Sequence, residues 1–309
     1  MSQDLGRHLS DYLALRRSMG HKLHDASRLL PGLVTHCADA GIASLTVEVM
    51  LAWAQQPAAR PGSSVHARRL TAARGFARYL SGIDPGTCVP PAGLISSRRP
   101  RTTPHVFADA EVAALLAVIP TVIASPFKSH TYTMVIGLLA CTGMRIGEVI
   151  GLHDTDIDGR ARTLLVRESK FGKSRLVPVH ATTMTAIDAY RGERDRALPM
   201  RRDRNLLVSN AGTALIYSQV GLAFRRMLDA SGVGAAARRR PRLHDFRHTF
   251  AVRTLADWYA HGDDVATRLP VLSTYLGHRD PRSTYWYLTA TPELLGHAAG
   301  MLDEHGREA

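Results

Sequence analysis

Residues 272–293 read LSTYLGHRDPRSTYWYLTATPE. A Leu–Gly pair closes one helical pattern, His278 follows at once, and Tyr287 stands nine residues further on. Tyr285 and Tyr287 face opposite sides of an extended chain and lie about 200° apart on a helix, so only one of them can point into a given site. Taken alone, either tyrosine reads as an amphipathic core residue with a wet hydroxyl. The stretches upstream decide what it means.

Working back, Arg242–Phe250 is RLHDFRHTF. One helical face carries His244 and Arg247 at i,i+3, while Leu243, Phe246 and Phe250 turn to the core. A titratable ring beside a permanent cation suits phosphoryl chemistry. His244 and His248 also have the i,i+4 spacing of a helical zinc pair. The metalloprotease pattern, however, needs Glu where Asp245 stands, and no third ligand lies near in sequence.

Further back, Cys141–Leu152 is CTGMRIGEVIGL. Gly143 ends an apolar helix, Arg145 begins the next, and Glu148 lies three residues on, placed to hold the guanidinium in one orientation. The pair reads either as an arginine set for bidentate grip on phosphate or as a surface ion pair. Between these segments, Val166–Val179 (VRESKFGKSRLVPV) has a hairpin signature, with Lys170 near its polar tip and Lys173 and Arg175 after it. A lysine on such a turn is by itself an ordinary solvated residue.

The whole chain, 309 residues with 39 Lys plus Arg against 27 Asp plus Glu, carries a formal charge of +12. Hydrophobic and charged shares of 45% and 21% are globular and exclude a disordered tail protein. The positive excess makes nucleic acid the expected partner. Residues 1–100 hold 12 basic and 6 acidic side chains and the rest hold 27 and 21, which suits two domains that both meet a polyanion. No apolar run reaches the ~18 residues of a membrane span. MSQDLGRHLSDY has no signal-peptide core, so the expected location is the cytoplasm. Cys37, Cys88 and Cys141, odd in number and far apart, support neither a disulfide framework nor a metal knuckle.

Helical periodicity runs from Asp4 to about Leu80 in four segments, the last capped near Ser63 or Ser64 and lined by Arg68, Arg69, Arg74 and Arg78. Those arginines form either a solvated face or a nucleic-acid face. A stretch rich in Pro, Gly and Ser follows from Gly82 and ends in a basic cluster, the reading of a linker. The expected domains are thus 1–96 and 105–309, joined by a basic linker at 97–104. Beyond His105 the pattern predicts helices at Phe107–Ile119, Thr131–Cys141, Thr182–Tyr190 and Ser218–Leu228, another from about Arg242, and a last at Pro292–Leu302. With strands at Thr163–Arg167 and Ser174–Val179, the carboxy-terminal domain is α+β and mostly helical.

No single motif decides, but their order does. Arginine in TGxR, lysine on a β-hairpin, HxxR, LGH and a tyrosine nine residues later resemble the tyrosine recombinase (phage integrase) family over about Val106–Leu302. The resemblance implies an all-α, SAM-like core-binding domain that clamps DNA, followed by the family's α+β catalytic domain. It puts the family's catalytic residues on Arg145, Lys170, His244, Arg247, His278 and Tyr287, with Lys173 close enough to compete for the lysine role. The longer stretch Trp258–Pro270 and the aromatic run at Tyr285–Tyr287 are similar to recombinases of bacterial mobile elements that work beside siblings. A bacterial, nucleoid-associated protein is the corresponding expectation.

The chemistry implied is a transesterification on double-stranded DNA through a 3′-phosphotyrosine on Tyr287. In it Arg145 and Arg247 clamp the phosphate, Lys170 protonates the leaving 5′-oxygen, and His244 and His278 assist. It calls for no cofactor, metal or ATP. The amphipathic tail, with Leu294, Leu295, Ala298, Met301 and Leu302 on one side, either packs on its own domain or docks on a neighbour in a tetramer. Three alternatives stand beside this reading: a type IB topoisomerase-like relaxing enzyme, a DNA-binding regulator without activity, and a metal-dependent hydrolase.

Overall fold

The computed structural model describes residues 2–42, 44–57, 64–96, 103–167, 174–201, 203–278, 280 and 282–288. The chain divides into two compact units, Met1–Arg101 and Thr102–Ala309.

The first unit is built of α1 (Ser2–Ser18), α2 (His24–Asp39), α3 (Val47–Gln55) and α4 (Val65–Leu80). Each helix buries one stripe. On α2 the stripe is Ala26, Leu30, Leu33 and Cys37, and on α4 it is Ala67, Leu70, Ala73, Phe76, Ala77 and Leu80, both at the spacing of a helix with one core face. The Thr46 hydroxyl accepts from the Val49 amide and starts α3, which adds Met50 and Trp53 to the same core. Three of the α4 arginines are engaged within the unit. Arg68 forks onto the Asp25 carboxylate, the Arg69 guanidinium donates to the Gln56 carbonyl and lies over the Trp53 ring, and Arg74 donates to the carbonyls of Pro90 and Pro91. The stretch from Gly82 therefore differs from the expected free linker in its first part. Arg74 and a Cys88 amide bond to the Leu45 carbonyl tie it back onto the helices.

In the second unit, α5 (Asp109–Ala117) stops two residues short of the expected helix. Pro120 cannot donate into a continuing turn, and the chain restarts as α6 (Ile119–Val122). The Ser125 hydroxyl then caps α7 (Pro126–Thr142), the central helix, which buries Tyr132, Val135, Ile136, Leu138 and Leu139. Gly143 ends it at φ 60°, where an added Cβ would meet the Phe250 ring at 2.8 Å, so only glycine fits. After the short α8 (Ile146–Ile150) comes an antiparallel meander of β1 (Ile157–Asp158), β2 (Thr163–Val166) and β3 (Arg175–Pro178). Its register pairs Leu164 with Val177 and Val166 with Arg175. Leu164, Val166 and Val177 turn inward and Leu176 outward, the alternation that a one-sided sheet requires. Helices α9 (Ala181–Ala197) and α10 (Tyr217–Ser231) close this core.

A second cluster in this unit joins α11 (Asp245–Ala260), α12 (Val265–Leu276) and α13 (Arg282–Leu288) through Leu255, Leu269, Leu272, Leu276 and Tyr287. The longer stretch between the two histidine motifs holds the end of α11 and the first half of α12; the Asp264 carboxylate accepts from the Thr267 amide to start α12 and Gly277, at φ 65°, ends it. Among the described residues no helix is long and apolar enough to cross a membrane. The tail at 292–302 lies outside the described residues.

Candidate active site

Helix ends converge on one place in the second unit. The turn after α7 delivers Arg145, the start of α11 delivers His244 and Arg247, the turn after α12 delivers His278, and α13 delivers Tyr287. Five of the six positions expected from sequence thus come together. The sixth, Lys170, lies with Lys173 outside the described residues, although the two arms of its hairpin are seen.

Arg145 sits at the start of α8. Glu148, one turn on, accepts from the Arg145 amide at 3.0 Å through Oε2 and from its Nη1 at 2.7 Å through Oε1. The surface ion-pair reading fails because Glu148 is buried and Arg145 only partly open. A second guanidinium also binds the carboxylate: Arg175 donates Nη1 to Oε1 at 3.1 Å and Nη2 to Oε2 at 2.7 Å. Burial pushes the Glu148 carboxyl up, but the bonds and charges of Arg175 and Arg145 outweigh it and hold the pKa at about 2.

Arg247 is 1% exposed and donates to the carbonyls of Gly143 and Leu276, the last residues before two of the turns. Burial, and then the nearby Arg145 charge, lower its pKa to about 10. A permanent cation kept dry and oriented is the kind of group that strengthens when an anion arrives, because no water competes for it.

The tyrosine ambiguity ends in packing. Tyr285 is 52% exposed and Tyr287 only 2%. The Tyr287 ring lies 5.4 Å from His248 and 6.1 Å from His278. Burial raises the phenol's pKa, while Arg247 and Arg145 pull it back down. His278 exchanges a 2.7 Å hydrogen bond with Thr284 through Nδ1, which leaves Nε2 to act on a ligand. Burial and the two arginines hold that imidazole neutral, its pKa lowered to about 3.

His248 takes a different place from the one its spacing allowed. It stacks edge-on against His244 at 4.8 Å and packs on Trp286 and Tyr287, so its partners are aromatic. Two participants had no clear signal in sequence. Arg175 was one more charge on a hairpin, and Thr284 one more residue beside a tyrosine.

Residues 105–293 match the phage integrase family model. The chain is similar to a putative integrase/recombinase, y4rB, of Sinorhizobium fredii, at 36% identity over 96% of each chain. It is 28% identical to the tyrosine recombinase XerD of Caulobacter vibrioides, over 98% of this chain and 90% of that one. Among solved structures, the Tn1549 transposon integrase in complex with transposon right end DNA superposes with a TM-score of 0.59 at 16% identity, covering 96% of this chain and 99% of that one. Fold, motif order and full-length similarity thus agree, and the chain belongs to the phage integrase family of tyrosine recombinases.

Proposed function

We propose that the chain recombines DNA at specific sites by cleaving and rejoining strands through Tyr287. The phenol oxygen attacks the scissile phosphorus, the P–O5′ bond breaks, and the strand is held as a 3′-phosphotyrosyl ester. Arg145 and Arg247 hold the two non-bridging oxygens and offset the charge that builds on them. His278 donates a hydrogen bond to the phosphate, His244 takes the tyrosine proton or holds the phosphate, and Lys170 gives its proton to the departing 5′-oxygen. The ester conserves the energy of the broken bond, so a 5′-hydroxyl reseals the strand without ATP. Two fixed guanidiniums supply the positive charge that a metal supplies in other phosphoryl-transfer sites.

The observation that carries this reading is a buried tyrosine whose phenol feels the charge of a fully buried arginine, with a neutral histidine at its side. The helical unit is the second grip on the duplex, and a homo-tetramer on two synapsed sites, with or without sibling recombinases, is the working assembly. Relatives named integrase/recombinase and a neighbour bound to transposon-end DNA support integration, excision or transposition of a mobile element as the setting.

The test is a nicked suicide substrate carrying candidate sites, incubated in EDTA without nucleotide and run on a denaturing gel. The expected result is a covalent band with wild type and Tyr285→Phe and none with Tyr287→Phe. A band that survives Tyr287→Phe overturns the assignment of the nucleophile. Tight DNA binding with no band in any variant makes the chain a binding protein.

A further inference from the structure

Arg175 reaches two separate parts of the second unit from one strand position, α8 and the end of α12. Both Nη atoms fork onto Glu148 of α8, and Nε donates to the Tyr275 carbonyl of α12 at 2.7 Å. The guanidinium also sits close to Gly277, where an added Cβ would come within 3.0 Å of Nη1 and 3.3 Å of Cζ. Gly277 precedes His278, and its carbonyl accepts from Arg145 Nη2 at 3.3 Å. One side chain therefore touches the carboxylate that orients Arg145 and the turn that presents His278.

The arrangement is specific to a guanidinium. Glu148 accepts four N–H bonds, two from Arg145 and two from Arg175. A forked partner on both oxygens stops the carboxylate from rotating, and a carboxylate that cannot rotate holds the Arg145 side chain in one plane. Arg175 does not serve the substrate directly, since Nε, Nη1 and Nη2 are all committed inside the protein and its side chain is 10% exposed. Arg145 is the more open of the two, at 26%.

We infer that Arg175 is a positioning residue for strand cleavage: through Glu148 and the Gly277 turn it sets Arg145 and His278 on the same phosphate. The inference rests on the reading of Arg145 and His278 as phosphate-binding groups. It assigns the hairpin's second strand a role apart from that of Lys170.

Single-turnover cleavage of the suicide substrate by full-length protein tests it, at saturating DNA, alongside DNA affinity and thermal unfolding. Arg175→Leu removes the fork and keeps only the aliphatic base of the side chain. The expected loss in cleavage rate is about 10- to 100-fold, as for other groups that orient a ligand-binding side chain, with DNA affinity changed less than about threefold. Arg175→Lys, a point charge without a fork, falls between. The discriminating measurement replaces the scissile phosphate by a methylphosphonate, which has one charged non-bridging oxygen fewer and needs the arginines less. On that substrate the deficit of Arg175→Leu shrinks to a few-fold, which a role in folding alone would not produce. An unchanged rate in folded Arg175→Leu, an equal deficit on both substrates, or affinity lost in step with rate overturns the inference. If Arg175→Leu does not fold, Arg175→Lys is judged by the same ratio. Arg145→Ala separates the two levels. If it is inactive while Arg175→Leu is normal, only the inference falls; if it cleaves like wild type, the reading beneath falls with it.

Discussion

Asp25 and Arg68 in the helical unit form an ion pair with 56% and 41% of their side chains in solvent, whereas Glu148 and Arg175 in the second unit are paired at 7% and 10%. The chemistry of the two pairs is the same, and the surroundings give them opposite uses. An exposed pair is worth about 1 kcal/mol or less and gives way when a phosphate offers itself. A buried pair has lost its water, so removing one partner leaves an uncompensated charge at a cost of about 3–5 kcal/mol. The helical unit rests on an apolar core around Leu30, Leu33, Met50 and Phe76 and keeps its charge outside. In the second unit Arg194 and Arg247, each 1% exposed, are sunk into the fold, Arg194 binding Asp154, Asp195 and the Leu206 carbonyl. Surface charge suits a duplex that must be gripped and released, and buried charge suits a phosphate that must be held in one geometry.

The strongest blow to this contrast is Arg247→Lys. A lysine keeps the charge but cannot span the Gly143 and Leu276 carbonyls and still face a phosphate. The single-turnover cleavage rate is expected to fall by about 100-fold or more, with DNA affinity nearly unchanged. Equal losses of rate and affinity would place Arg247 in binding alone.

Next in size is a stability comparison by urea unfolding at pH 7. Glu148→Gln should destabilise the second unit by about 3 kcal/mol or more, and Asp25→Asn the helical unit by about 1 kcal/mol or less. Similar values for both would erase the distinction between the units.

A pH series sharpens it further. His248 and His278 have folded pKa values of about 4 and about 3, below the ordinary 6.5, because burial disfavours their charged forms. The unfolded chain then binds protons first, so the second unit loses stability as pH drops below 6.5, until the folded rings protonate too. Glu148, held at about 2 by its arginines despite burial, contributes stability above 4.5 that is lost as pH falls from there toward 2. Amide exchange on DNA-free protein at pH 8 and pH 5 should show protection falling in α11 to α13. His248→Phe should flatten the trend, and a pH-independent pattern would contradict the buried-neutral assignment.

The smallest expected effect is that of Thr284→Val, which removes the hydroxyl bonded to His278 and keeps its shape. Cleavage should slow by about three- to tenfold with stability within about 1 kcal/mol. No change in rate would mean that the ring is oriented by packing alone.

Much of this is legible in the amino-acid sequence. The motif order carried the family, and the apolar stripes of α2 and α4 carried two helices of the first unit, because a 3.6-residue period is written locally. Gly143 and Gly277 marked helix ends for the same reason. Other features were not local. Spacing showed that Tyr285 and Tyr287 could not share a site, but their burial, 52% against 2% exposed, is set by α11 and α12 packing over α13. Glu148 was readable as the partner of Arg145 one turn away, whereas Arg175 joins it from strand β3 and is itself tied to the Tyr275 carbonyl of α12. The Gly82 stretch read as linker because composition reports flexibility, and Arg74 overrides it with two hydrogen bonds. Sequence by itself determined which residue types stand in the motifs and which helices carry them. Only the tertiary structure decided which tyrosine faces inward and which arginine orients another, because burial and long-range hydrogen bonds belong to the packed whole.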